Sequence, residues 1–126
     1  MLRIGEIERE KDLNEVKKLF GDYASALGIS LDFQGFDQEL ANLPGDYSPP
    51  DGSLLMALSE GEVAGCVALR KFANGICEMK RLYTKPQFRG LGIGRALCEA
   101  IIVRARRIGY DRMRLDTLPS METARA

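Results

Sequence analysis

The chain opens with Leu2, Ile4 and Ile7 in a short, imperfect alternation of apolar and polar positions, which predicts a first strand. Asp12-Leu13-Asn14-Glu15 then has the D-x-x-E form of a capping box, in which two acidic side chains bond the orphan amides of a helix start. Leu13, Val16, Phe20, Tyr23, Ala24 and Leu27 follow at helical spacing, and Gly28 is placed to end that helix. Residues 29–52 are acidic and broken by Pro44, Gly45, Pro49, Pro50 and Gly52. They read as loop, with a short helix around Phe36–Leu43.

Three strand-like runs come next. Ser53–Ser59 is apolar, Glu60-Gly61 is a two-residue hairpin turn, and Val63–Lys71 is apolar again. Asn74-Gly75 is a second turn signal before Ile76–Thr84, and Pro86 stops that strand from continuing in a central ladder. After a glycine-rich loop the spacing predicts a long helix over Gly92–Ile108. Ile93, Leu97, Ala100, Ile101, Ala105 and Ile108 share one face of it, and Gly109 is its C-terminal cap. Arg112–Leu118 reads as a fifth strand, and Pro119 opens a last segment running to Ala126. Strand, helix, hairpin strands, helix, strand is the order of a mixed α/β layer, an antiparallel meander feeding one crossover.

At 126 residues the chain suits one small domain, 1–126, with a single core. A content of 45% hydrophobic and 29% charged residues is ordinary for a globular chain, so disorder is not the default. The formal net charge of zero hides an asymmetry. Residues 1–63 carry 5 Lys and Arg against 13 Asp and Glu, whereas residues 64–126 carry 13 against 5. A basic second half points to an anionic ligand there. A nucleic-acid partner is not expected: the acidic half would repel a phosphate backbone, and the basic residues are not interleaved with exposed aromatics.

Histidine is absent, which excludes Ser-His-Asp and Cys-His catalytic pairs and any imidazole metal site; no metal is expected. Cys66, Cys77 and Cys98 form no CxxC and are odd in number, so they read as buried free thiols of a reducing cytoplasm. The N-terminus has no apolar run of signal-peptide length, and no segment approaches the ~20 apolar residues of a membrane span. A cytoplasmic protein with no membrane partner is the expectation.

The sharpest feature is Gln87-Phe88-Arg89-Gly90-Leu91-Gly92-Ile93-Gly94-Arg95, set between a strand and a helix. Its glycines let backbone amides approach a ligand closely, and the helix start adds unpaired N–H groups and the positive end of its dipole. Arg89 and Arg95 flank the loop and can add charge-assisted hydrogen bonds. A dinucleotide fingerprint fails because the third glycine falls at 94 instead of 95, and a Walker loop fails because Arg95 and Ala96 follow Gly94. The Q/R-x-x-G-x-G/A signature of acyl-CoA binding is met at Gln87, Gly90 and Gly92. A glycine-rich turn without a ligand is the plain alternative.

On these residues the chain resembles the GNAT N-acetyltransferase superfamily, most specifically over residues 78–100, EMKRLYTKPQFRGLGIGRALCEA, and more weakly over 49–70. The resemblance implies a mainly antiparallel mixed sheet of about five strands flanked by helices. It implies acetyl-CoA as cosubstrate, its diphosphate cradled by the amides of Phe88 to Arg95. Backbone groups of the Leu82-Tyr83-Thr84 segment would pair with the pantetheine arm like an added strand, exposed where strands four and five splay at a bulge. The implied reaction is direct attack of a primary amine on the thioester in a ternary complex, with fixed geometry supplying much of the rate.

The resemblance also makes Glu78 the candidate general base, on the strand before the loop where many family members place a catalytic carboxylate; in the alternative reading it pairs with Lys80 two residues along. The acidic residues Asp32, Asp37, Glu39, Asp46 and Asp51 suit a small-molecule or peptide amine acceptor. Arg104, Arg106 and Arg107 read as a solvated cationic helix end that complements the dipole. The family pattern continues after the fifth strand with a further helix, often bearing an acid tyrosine, and two strands; this chain ends at the first turns of that helix. Tyr83 and Tyr110 lie elsewhere and take no acid role. The uncovered fifth strand would be an edge inclined to pair, so a homodimer is among the expected states. The alternative function is a CoA-binding or sensing module of the same fold with impaired catalysis.

Overall fold

Five strands stand side by side in sequence order: β1 (Leu2–Glu6), β2 (Ser53–Ser59), β3 (Glu62–Ala73), β4 (Ile76–Thr84) and β5 (Arg112–Leu115). The first four are antiparallel neighbours, and β5 runs parallel to β4. The computed structural model describes residues 1–7, 9–27 and 36–115. The β2–β3 hairpin closes through Glu60 and Gly61, both at positive φ (51° and 82°), the turn whose twist matches that of the strands. A parallel β4–β5 pair needs a crossover, and the helix α3 (Ile93–Ile108) supplies it.

The predicted mixed, mainly antiparallel sheet is therefore the observed one. Two other helices, α1 (Glu10–Leu27) and α2 (Phe36–Ala41), join β1 to β2. Helix α1 starts earlier than the capping box predicts. The Leu13 amide donates to the Arg9 carbonyl at 3.1 Å, so Arg9 and not Asp12 stands at the boundary. Asp12 and Glu15 lie inside the first turns, pairing with Arg9 at 3.8 Å and Lys18 at 3.6 Å. Acids there favour the helix dipole without capping it.

Each face of the sheet has its own helix. Val16, Leu19, Phe20, Tyr23 and Ala24 of α1 pack on Leu54, Met56, Cys66, Ala68 and Tyr83. Ile93, Leu97, Ile101 and Ala105 of α3 pack on Leu55, Ala57, Val67, Leu69 and Cys77. The alternation along β2 and β3 splits their residues between these two layers. Full burial of each large side chain is worth about 1.5–3 kcal/mol. Helix α3 begins and ends on left-handed glycines, Gly92 (φ 80°) and Gly109 (φ 111°). The Gly109 amide closes the end on the Ala105 and Arg106 carbonyls, both at 3.1 Å.

The proline-rich stretch is more ordered than a loop reading suggests. Residues Gly45–Tyr47 form a single 3-10 turn that delivers Tyr47 into the α1 layer, its ring edge-on to Phe20 with centroids 6.2 Å apart. Gly52 is required there, because a Cβ would lie 2.6 Å from the Asp46 carbonyl oxygen. The expectations placed on Gly28, Asp32, residues 116–118 and the last segment fall outside the described residues.

The β3–β4 ladder slips twice. Ala73 faces Ile76, but Lys71 faces Cys77, a bulge that puts Arg70 opposite Glu78. Further on, Ala68 faces Lys80 while Cys66 faces Tyr83, so Arg81 and Leu82 both stand against Val67. Arg81 sits at φ 59°, a left-handed conformation that is costly for a side-chain residue. Among the described residues β5 pairs only with Ile76–Met79 of β4, leaving the bulged Lys80–Thr84 segment without it.

Candidate active site

A cleft of about 390 Å³ opens where β4 ends and α3 begins. Leu82, Tyr83, Thr84, Phe88, Arg89, Gly90, Gly92, Ile93 and Gly94 line it, all of them residues singled out in the sequence. The loop leaves β4 through a 3-10 turn at Pro86–Phe88, where the Phe88 and Arg89 amides donate to the Lys85 and Pro86 carbonyls at 2.9 and 3.2 Å. Those two amides are engaged, so the ones available to an anion begin at Gly90. Gly90 and Gly92 adopt φ of 84° and 80°, and a Cβ on either would meet nothing within 4 Å, so the cradle is open. The first bond of α3 runs from the Ala96 amide to the Gly92 carbonyl at 3.0 Å. The amides of Ile93, Gly94 and Arg95 therefore precede the helical ladder at the positive dipole end.

Three predicted residues sit differently. Gln87 lines a neighbouring cavity of about 500 Å³ beside Lys11, Glu15 and Lys85. Leu91 is 65% exposed. Arg95 is exposed and pairs along the helix with Glu99 at 3.1 Å. Arg89 turns back over the cleft, its Nε donating to the Thr84 carbonyl at 3.1 Å and its guanidinium 5.7 Å from the Tyr83 ring centre.

The face that α1 covers turns polar along β4. Glu78 is buried, and its partners lie across the strands, not at Lys80: Arg70 of β3 holds Oε1 at 2.9 and 3.0 Å, and Arg114 of β5 approaches Oε2 at 3.3 Å. Arg81 is also buried and forks onto Glu39 of α2, at 2.8 and 2.9 Å, with its guanidinium 5.5 Å from the Tyr23 ring centre. Burial opposes the Arg81 charge, but the Glu39 bonds more than offset it and raise its pKa. The Cys66 thiol donates to the Arg81 carbonyl at 3.4 Å, tying the bulge to β3. Burial raises the Cys66 pKa, and burial together with the Glu39 charge raises that of Tyr47, so both stay protonated at neutral pH.

A third cavity, about 300 Å³, lies between α2, the Gly45–Tyr47 turn and β3, lined by Glu39, Asn42, Asp46, Tyr47 and Arg70 among others. Two of the acidic residues named from the sequence, Glu39 and Asp46, thus reach one cavity. Asp51 does not; its carbonyl accepts from the Tyr110 hydroxyl at 2.6 Å. Arg104 pairs with Glu6 of β1, leaving Arg106 and Arg107 as the exposed cationic helix end. Sequence reasoning missed Arg70, Arg81 and Arg114. Their one signal is that cationic residues interrupt runs that are otherwise strand-like.

A five-stranded sheet with a bulged fourth strand and a glycine-rich helix start is an arrangement that known proteins carry. An acetyltransferase of the GNAT family from Staphylococcus aureus superposes with a TM-score of 0.83 at 20% identity, covering 99% of this chain and 79% of that one. AAC(6')-Iy, solved with the bisubstrate analogue CoA-S-monomethyl-acetylneamine, gives 0.76 at 16% identity over 99% and 85%. An uncharacterised N-acetyltransferase of Schizosaccharomyces pombe is 42% identical over 122 residues, 95% of this chain and 75% of that one. The acetyltransferase (GNAT) family pattern matches residues 14–126, and the chain belongs to that family. It is accordingly an acyltransferase.

Proposed function

We propose that the protein transfers the acetyl group of acetyl-CoA to a primary amine by direct attack in a ternary complex. The observation that carries this is the cleft itself: an open cradle of amides from Gly90 onward, continuous with the bulged backbone of Leu82–Thr84. An anionic diphosphate fits the helix start, and an extended pantetheine arm fits strand backbone that β5 does not pair among the described residues. That AAC(6')-Iy, of the same fold, was solved with a CoA-containing bisubstrate analogue supports a CoA cosubstrate.

In the transfer the amine nitrogen attacks the thioester carbonyl, the C–S bond breaks, and an amide and the CoA thiol result. An ammonium cannot attack, so a base must take its proton. We assign that role to Glu78, on the face where Glu39 and Asp46 give the amine an acidic approach. Two guanidiniums hold the Glu78 oxygens, but a carboxylate has about four lone-pair sites, enough to accept a further proton-bearing group. Three cysteines free of disulfides support a cytoplasmic location.

The test is CoA release from acetyl-CoA over a panel of amines, with Glu78→Gln beside Glu78→Asp. Glu78→Gln should lower kcat/KM by about 100-fold and change the shape of its pH profile, while Glu78→Asp restores part of both. An unchanged pH profile in Glu78→Gln removes Glu78 from the role. Binding of acetyl-CoA without turnover of any amine removes the reaction.

A further inference from the structure

Arg70, Glu78 and Arg114 form one row across three strands. Arg70 faces Glu78 in the β3–β4 ladder, and Glu78 faces Arg114 in the β4–β5 ladder. Two guanidiniums on one carboxylate leave a surplus positive charge on this row. Among the described residues the other acid paired with it is Asp46, 3.7 Å from Arg70, with a side chain 81% exposed and therefore well screened. Among the described residues Glu78 is the sole carboxylate paired with Arg114. The Arg114 guanidinium is also held 4.2 Å from the centre of the Phe72 ring. Both arginines keep part of their side chains open to solvent, 34% for Arg70 and 51% for Arg114. The row is thus a pair of oriented, incompletely satisfied forks, and Arg70 lies on the wall of the cavity under α2.

We propose that this row is a subsite for a carboxylate carried by the acceptor, so that the acceptor class is amines bearing a carboxylate. The inference rests on the amine-acetylation reading above. A ligand carboxylate beside Glu78 takes the outward N–H groups of the two guanidiniums and neutralises the surplus charge. Its amine end is then left to the remaining lone pairs of Glu78, the base assigned above. A carboxylate meets the Arg70 and Arg114 guanidiniums with opposite charge, whereas a polyamine would meet them with like charge.

Matched amines that differ by the carboxylate test this: β-alanine against ethylamine, and L-lysine against 1,5-diaminopentane, with O-phosphoethanolamine as the phosphate arm. The carboxylated member of each pair should show a KM about 10-fold lower, the equivalent of about 1.4 kcal/mol. Arg114→Gln should remove that preference while the KM for acetyl-CoA stays put, and Arg114→Lys, keeping charge but not the fork, should restore part of it. Thermal unfolding of both variants checks that they fold. Equal KM values within each pair, a stronger preference for the phosphate, or a preference untouched in Arg114→Gln overturns the proposal. If no amine is acetylated, the transfer reading fails separately. Calorimetric titration with the N-acetylated forms of the same compounds then decides the subsite: carboxylate-selective binding lost in Arg114→Gln supports it, and unselective binding overturns it.

Discussion

Beneath α3 the strands contribute Leu55, Ala57, Val67, Leu69 and Cys77, and among the described residues no charged side chain is buried there. Beneath α1 the same strands begin with Leu54, Met56, Cys66 and Ala68, but β4 then buries Glu78, Lys80 and Arg81. One sheet therefore carries a hydrocarbon face and a face that changes from hydrocarbon to ion pairs between β3 and β5. Burying a charge costs several kcal/mol unless it is paired with good geometry, so such a face is not built for stability. Here Glu39 holds Arg81, and Arg70 and Arg114 hold Glu78. Both layers bury apolar side chains, but among the described residues only the α1 side also buries charged ones, where β4 crosses it.

Substitutions on the two faces should separate accordingly. The largest loss of stability is expected at Leu97, which is fully buried under the sheet. Leu97→Ala should cost about 3 kcal/mol in urea unfolding, while kcat per folded molecule stays unchanged. A fall in kcat beyond the folded fraction would break the division between faces. Glu39→Ala comes next. It strips the fork from a buried, left-handed Arg81, and should cost about 2 kcal/mol, the partial exposure of Glu39 easing the loss. Unlike Leu97→Ala, it should also raise the KM for acetyl-CoA several-fold, because the Arg81–Leu82 bulge sets the backbone that follows.

Gly92→Ala should be milder for the fold, about 1 kcal/mol for a side chain at φ 80°, with open space around it. Its larger consequence is weaker acetyl-CoA binding, read by titration. The smallest effect is on pH dependence. The folded-state pKa of Cys66 is raised by burial, as are those of Cys77 and Cys98, so the unfolded chain loses these protons first. Stability from this source is complete below about pH 8.5, the ordinary thiol value, and declines as pH rises above it. Urea unfolding between pH 7 and 10 should show the decline, and Cys66→Ala should flatten it. A curve equally steep in that variant would place the titration elsewhere.

The loop from Gln87 to Arg95 was legible because its signal is local: glycines at positions needing positive φ, a helix start after them, and apolar residues at helical spacing beyond. The alternation of β2 and β3 was legible for the same reason. The boundary of α1 was misread because Asp12 and Glu15 satisfy the capping pattern, yet Asp12 is a first-turn acid behind Arg9 and Glu15 pairs with Lys18 within the helix. The partners of Glu78 were not legible at all. A regular hairpin counted from the Asn74-Gly75 turn would set Lys71 opposite Glu78. The bulge between Lys71 and Ala73 shifts the ladder by one and brings Arg70 there instead.

What the sequence by itself determined is whatever depends on neighbours a few residues apart: the element order, the face each helix buries, and the glycine cradle at the start of α3. What only the tertiary structure decided is which charges meet. Arg81 reaches Glu39 across 42 positions, and Arg114 reaches Glu78 through a parallel pairing that exists only once α3 has crossed the sheet. The physical reason is the period of the strand. Side chains alternate between faces, so a single inserted residue exchanges the inward and outward sets, and two bulges in one ladder settle the chemistry of β4.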